Sequence, residues 1–343
     1  MLDEYQRLEA QLLDFIRADG AGGDFGAIAL AVHHFQIRWN QPFANFCAER
    51  PEPREWREIP AVPQSAFKHF MLSVARADQV TKIFHTSGTT GEGFGRHHFV
   101  STRLYAEAAR AGWARLGLPR LAHFVLVPNP ADAPHSSLAH MMSALAPLAH
   151  ETTWLLDAEG RLRADFSETL GKIVRAGAPV ALLGTALAFL HAFEQLGAQR
   201  FHLPAGSFAM ETGGFKGSGR DIAKAELYAQ FREFLDLDAD AVFNEYGMTE
   251  LSSQFYTHGL GRPHDGPPWL RTVVFHPETG AEVAVGETGV LRLFDLANLG
   301  SVIAVETQDL AIRREHGFEL LGRDPGALPR GCSRHADEQM QRR

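Results

Sequence analysis

The chain has 343 residues, 45% hydrophobic and 22% charged, with a formal net charge of −8. That length can bury one large core or two smaller lobes, and the acidic balance argues against a general nucleic-acid-binding surface. No apolar run approaches the ~18 residues that a membrane-spanning helix needs, and two cysteines in dissimilar contexts, Cys47 and Cys332, make no disulfide framework. A charged start, Leu2-Asp3-Glu4-Tyr5-Gln6-Arg7, replaces a secretory signal pattern, so a cytoplasmic protein is expected.

Leu2, Tyr5, Leu8, Leu12 and Ile16 recur at helical spacing and predict an amphipathic helix over 2–17. Asp24 suits the N-cap of a second helix running through Trp39. Pro51, Pro53, Pro60 and Pro63 predict an extended connection. Strand and helix patterns then alternate. Strands are expected at 81–86, 121–127, 152–156, 180–184, 206–210 and 241–246. Helices are expected at 102–116 (capped by Ser101), 137–146, 166–176, 186–196 and 219–235. This order predicts an α/β fold, a largely parallel sheet with packed helices. Past residue 255 the pattern changes to short strands at 271–275, 289–293, 302–306 and 312–321, the last turning at His316-Gly317. They predict a small antiparallel β subdomain. The expected organisation is a helical segment over 1–55, an α/β core over 56–255, a β subdomain over 256–324 and a mobile tail over 325–343.

The most informative stretch is Thr86-Ser87-Gly88-Thr89-Thr90-Gly91, which sits between strand-like residues. Its glycines let the backbone approach an anion closely, and its N–H groups and hydroxyls can wrap phosphate oxygens. The G-x-x-x-x-G-K-[ST] spacing of a P-loop is absent. Alone, such a run is equally a surface turn. A second block about 150 residues on, Asn244-Glu245-Tyr246-Gly247-Met248-Thr249-Glu250, supplies a carboxylate of the kind that holds magnesium against phosphates.

Together these blocks resemble the adenylate-forming superfamily of acyl-CoA synthetases, nonribosomal adenylation domains and luciferases. That superfamily carries S-G-T-T-G and, later, Y-G-x-T-E. The acyl-protein synthetase branch, which activates fatty acids in bacterial bioluminescence, is closer still. It carries an Arg-His pair after the loop (Arg96-His97), T-G-G-F-K-G (Thr212 to Gly217) and an eleven-residue match over Tyr246 to Tyr256. The resemblance covers residues 55 to 335 and implies the large N-terminal-type domain of adenylate-forming enzymes.

The resemblance also implies roles for single residues. Thr86, Ser87, Gly88, Thr89, Thr90 and Gly91 would cradle the phosphates of ATP. Gly213 and Gly214 would let the chain pass close to adenine, and Tyr246, Gly247, Met248 and Thr249 would complete the nucleotide site. Glu250 would bind Mg2+. Asp309 would accept hydrogen bonds from the ribose hydroxyls, although Gln308 stands where the usual T-G-D has glycine, and Arg323 would contact ribose or phosphate.

Relatives follow this last segment with a further domain carrying a catalytic lysine. Here 19 residues follow Asp324, and no lysine follows Lys224. The resemblance therefore implies a chain lacking that domain, with Arg96 a candidate substitute that would grip phosphate bidentately. Cys332 matches the acyl-accepting cysteine of the branch, and Arg330, Arg334 and His335 would favour its thiolate. Cys47 reads as a core residue.

The expected activity is ATP-dependent activation of a carboxylic acid to an acyl-adenylate, followed by transfer to a protein thiol. The acceptor would be Cys332 or that of a partner such as a reductase or carrier protein. A ligase loading coenzyme A or an acyl carrier protein, or a non-catalytic nucleotide-binding subunit, stays open. The acyl pocket is expected among 184–190, 208–215 and 246–256, with Phe189, Phe208, Met210, Met248 and Phe255. His85 and His97 flank the loop and are candidates for substrate contact.

Overall fold

The computed structural model describes residues 1–86, 93–213, 222–323 and 339–341. Ser87, Gly88, Thr89, Thr90, Gly91, Gly214 and Cys332 lie outside the described residues. The chain folds as two compact units. The first comprises Met1–Arg115, Met248–Gln254 and Pro263–Arg343, the second Leu116–Gly247 and Phe255–Arg262.

The first unit starts with α1 (Leu2–Arg17), α2 (Phe25–Trp39) and α3 (Gln41–Cys47). α1 buries Leu8, Leu12 and Ile16 along one face, as its spacing predicts. Asp24 caps α2, its carboxylate accepting from the Ala27 N–H at 2.7 Å. Asn40 ends α2 and caps α3 by accepting from the Phe43 N–H at 3.3 Å, with Pro42 in the first turn of α3. Next come β1 (Val62–Pro63), α4 (Ala66–His69), the antiparallel pair β2 (Lys82–His85) and β3 (Arg96–Phe99), and α5 (Arg103–Ala114). The Ser101 hydroxyl accepts from the Arg103 N–H at 3.2 Å, the bond expected of a cap for a helix over 102–116, although α5 itself opens one residue later, at Arg103.

The second unit is built on six strands: β4 (Ala122–Leu126), β5 (Thr152–Trp154), β6 (Val180–Thr185), β7 (Phe208–Thr212), β8 (Val242–Tyr246) and β9 (Phe255–His258). Their spatial order is β5-β4-β6-β7-β8-β9, parallel except that β9 runs antiparallel to β8. The intervening helices are α6 (Ser137–Leu145), α7 (Phe166–Ala176), α8 (Ala186–Leu196) and α9 (Lys224–Leu235). Leu182, Ala209 and Val242 join Leu170, Phe189, Phe193 and Phe231 of α7, α8 and α9 in one core. In this sheet β9 is the strand that the sequence pattern does not reveal, because Phe255 and Tyr256 close the second motif.

The chain then re-enters the first unit with β10 (Leu270–Phe275), β11 (Thr288–Asp295), β12 (Ala304–Arg313) and β13 (Phe318–Arg323). They form an antiparallel sheet, and β1 adds in parallel to β12 through Val62 and Val305. The turn between β12 and β13 holds Gly317 at φ +69°, where a Cβ would collide with the His264 carbonyl.

These units cross the divisions expected from sequence order. The N-terminal helices and the β subdomain fold together because buried side chains bind them: Gln36 Nε2 donates to Asn298 O at 2.9 Å, Gln36 Oε1 accepts from the Ile303 N–H, and Asn40 Nδ2 donates to Ser301 O. The end of the expected tail is also tied down. Residues 339–341 pack on α3, with Arg50 donating to Gln339 Oε1 at 2.8 Å and Asn45 to Met340 O at 3.2 Å. Among the described residues no helix is long and apolar enough to cross a membrane.

Candidate active site

In the first unit Thr249 of the second motif meets the hairpin whose strands flank the Ser/Thr/Gly loop. β2 leads into the Ser/Thr/Gly loop and β3 leads out of it, with His85 paired to Arg96 at the loop end of the hairpin. The loop's neck is closed from both sides: the Thr86 N–H donates to Gly95 O, and the Gly95 N–H to Thr86 Oγ1, both at 2.9 Å. Thr86 thus acts in the structure as the closure of the loop. Arg96 is exposed at the first position of β3.

Thr249 is fastened to both strands of this hairpin. Its hydroxyl donates to His85 O at 3.3 Å, and its carbonyl lies 2.8 Å from His97 Nδ1. A carbonyl only accepts, so Nδ1 carries the proton. Burial pushes His97 down to about 4, the bond to Thr249 opposing it, so the ring is neutral near pH 7. Of the two histidines flanking the loop, His97 is therefore a buried bracket and only 1% exposed.

Glu250 follows in a tight turn, buried to 9% exposure. Its carbonyl accepts from Asn298 Nδ2 at 2.8 Å. Ser252 Oγ donates to Asn298 Oδ1, and the Ser252 N–H and Ser253 Oγ donate to Asp295. Asp295 is fully buried, and burial raises it to about 6 against these donors. The sequence does not flag His97, Asp295 or Asn298 as holders of this turn.

Asp309 and Arg323 pair across β12 and β13, with Arg323 Nε 3.8 Å from Asp309 Oδ1. Asp309 is 6% exposed, and its N–H donates to Thr307 Oγ1. This pair sits on its own hairpin, on elements separate from the Glu250 turn.

In the second unit, Gly213 directly follows β7 at φ +71°. Tyr246 ends β8, its ring 6.1 Å from that of Phe255. The second motif is divided after Gly247, and Met248 opens the stretch that belongs to the first unit. Phe208 and Met210 lie on β7, whereas Phe189 is in the helical core, so Phe189 does not share their face. Cys47 is a core residue, its thiol pushed up to about 12 by burial.

A search of solved structures finds a similar fold in 2-hydroxyisobutyryl-CoA ligase, in an open conformation complexed with 2-HIB-AMP and CoA. The TM-score is 0.65 at 12% identity, over 86% of this chain and 73% of that one. The fold is that of the adenylate-forming ligases. The adenylate-forming fold also appears in McyG A-PCP complexed with phenylalanyl-adenylate, with a TM-score of 0.52 and 15% identity over 73% of this chain. The chain spans about half, 48%, of that structure. Among curated proteins it is similar to the long-chain-fatty-acid–luciferin-component ligase of Aliivibrio fischeri. The two are 24% identical over 307 residues, which is 82% of this chain and 77% of that protein. No family model matches the chain.

Proposed function

We propose that this chain activates a carboxylic acid with ATP to an acyl-adenylate and pyrophosphate, and passes the acyl group to a thiol. The observation that carries this reading is Thr249, bonded to both strands that bear the Ser/Thr/Gly loop and adjacent to Glu250. The likeness to ligases in fold and in sequence supports it.

A carboxylate oxygen of the acid attacks the α-phosphorus of ATP, and the bond to the β-phosphate oxygen breaks. Loop N–H groups and hydroxyls of Ser87 to Gly91 stabilise the charge that develops on the phosphates. The donor set fits magnesium, which binds through one or two carboxylates plus substrate phosphates. No three-ligand cluster of His, Cys, Asp or Glu occurs among the described residues, so Glu250 would hold the ion jointly with ATP. When bound, the ion neutralises charge on the leaving pyrophosphate. The Thr249 hydroxyl already donates to His85 O and leaves the carboxylate as the principal ligand. Asp309 accepts from the ribose hydroxyls, and Arg323 steadies it.

In the second step a thiolate attacks the acyl carbonyl, and the bond to AMP breaks. Cys332 is the proposed acceptor, supported by its Arg330, Arg334 and His335 neighbours in sequence. The first step is tested by acid-dependent ATP–pyrophosphate exchange over a panel of acids. The second is tested by incubation with ATP and the productive acid, which should leave a hydroxylamine-labile acyl label. Cys332→Ser should lose the label and keep the exchange. A label that persists on this variant moves the acceptor elsewhere, and wild-type exchange without any label points to direct transfer to coenzyme A or a carrier.

A further inference from the structure

The two faces of the six-stranded sheet differ in kind. One face, with Leu182, Ala209 and Val242, is filled by the helical core. On the other, the register sets Leu183 beside Met210, Met210 beside Phe243, and Thr212 beside Glu245. The Phe208 and Phe243 rings meet there at 5.6 Å, and the His258 ring lies 5.5 Å from Phe243. Side chains alternate along a strand, so this face is an apolar row that ends in a hydroxyl and a carboxyl group. Both Thr212 and Glu245 are buried, and Thr212 Oγ1 donates to Glu245 Oε2.

Position gives this pair its meaning. Ligands of open parallel sheets bind beyond the carboxyl ends of the strands. Thr212 and Glu245 lie at those ends of β7 and β8, directly before Gly213 and Tyr246. The neighbouring acid is accounted for differently. Glu211 faces the helices, where Tyr228 Oη donates to it at 3.2 Å and Lys224 Nζ lies 3.8 Å away. Lys224 also donates to Asn244 at 2.6 Å, so it serves that face and not Glu245. Among the described residues, Glu245 is left with one hydroxyl donor on a group that has about four acceptor positions. A pocket for plain hydrocarbon has no use for a buried carboxyl group, which costs free energy unless hydrogen-bonded. A substrate bearing its own donor supplies the missing partner.

We propose that Glu245, oriented by Thr212, is the specificity-determining residue of the acyl site, and that it selects an acid with a hydroxyl or amino group on its carbon skeleton. The assignment rests on the adenylation reading above. It deepens that reading by naming the substrate class.

The test is ATP–pyrophosphate exchange with matched acids: plain alkanoates and their hydroxy and amino counterparts of equal chain length. The wild type should show kcat/KM at least about tenfold higher for one donor-bearing series than for its plain partners, because a site built to hydrogen-bond a substrate group rejects analogues lacking it. Glu245→Leu should erase that preference. Glu245→Gln, which keeps an acceptor oxygen and the side-chain shape, should retain it for hydroxy acids and lose it for amino acids. Equal or better use of plain alkanoates by the wild type overturns the assignment and leaves adenylation standing, as does a preference that survives in a folded Glu245→Leu protein. Wild-type protein that exchanges pyrophosphate with no acid of any series refutes adenylation itself, and the assignment falls with it.

Discussion

Replacing Asn298 by alanine should loosen the Glu250 turn at a cost that its hydrogen bonds define. The side chain is 1% exposed, and it donates to Glu250 O at 2.8 Å and Val302 O at 3.2 Å while accepting from Ser252 Oγ at 2.7 Å. Alanine removes all three bonds in a place that water does not reach. Each such bond contributes about 1 kcal/mol net, and each stranded polar group costs about 1–3 kcal/mol. Carbonyls are the more tolerant of the stranded groups, since they keep a second lone pair. The lower end applies, and Asn298→Ala should destabilise by about 3 kcal/mol, a large share of a typical 5–15 kcal/mol. Urea unfolding followed by tryptophan fluorescence reads this loss. Pyrophosphate exchange titrated with magnesium reads the site, and the magnesium requirement should rise because the carboxylate of Glu250 is no longer held in place. Asn298→Asp is the sharper control: it keeps the acceptor for Ser252 but turns an anionic oxygen toward two carbonyls, so it should be no better than alanine. A loss under about 1 kcal/mol with unchanged magnesium dependence would refute the reasoning.

Glu250→Ala should lower acid-dependent pyrophosphate exchange by orders of magnitude while far-UV circular dichroism stays native; unaltered exchange removes the metal role. Asp309→Ala should weaken ATP binding by losing two charge-assisted bonds of about 1.5–3 kcal/mol each, and it should discriminate far less than wild type against 2′-deoxy-ATP; equal discrimination in both proteins ends the ribose assignment. Glu245 sits at about 7 in the fold, raised from 4.5 by burial with Glu211 adding to it and Thr212 opposing. The folded chain therefore holds this proton more tightly than the unfolded one, and Glu245 subtracts stability as pH rises from about 4.5 to 7. Glu245→Gln, which does not titrate, should gain on wild type over that window by about 3 kcal/mol in urea unfolding at stepped pH, and a flat difference would show that the carboxyl group ionises normally.

Much of the fold was legible in the chain itself. The 2–17 helix, the Asp24 cap and the βα alternation from 121 to 246 are local patterns, and α1, α2 and β4 to β8 appear within a few residues of the expected positions. Two of the elements that escaped, α3 and β9, have a signal masked by another. α3, which opens with Gln41-Pro42, follows the end of α2 with only Asn40 between, and the first two residues of β9 close the second motif. β12 runs to Arg313, well past its expected end at 306, because Gln308 and Asp309 interrupt the apolar alternation while pairing resumes from Asp309, which faces Arg323.

The chemistry was legible only in part. Residue types along the chain pointed to a phosphate-type loop, because glycine freedom and hydroxyl donors are properties of the residues themselves, while the roles expected of the Tyr246 to Glu250 block, Asp309 and Arg323 came from the resemblance to adenylate-forming enzymes. Tertiary structure alone decided what holds them. His97 meets Thr249 across 152 positions, Asn298 meets Glu250 across 48, and Asn40 reaches Ser301 across 261. It also decided that Thr212 and Glu245, 33 positions apart, share one face while Glu211 turns to the helices. Such pairs leave no periodic trace in a sequence, since the register of one strand against another is set by the burial of whole faces and not by any neighbouring residue.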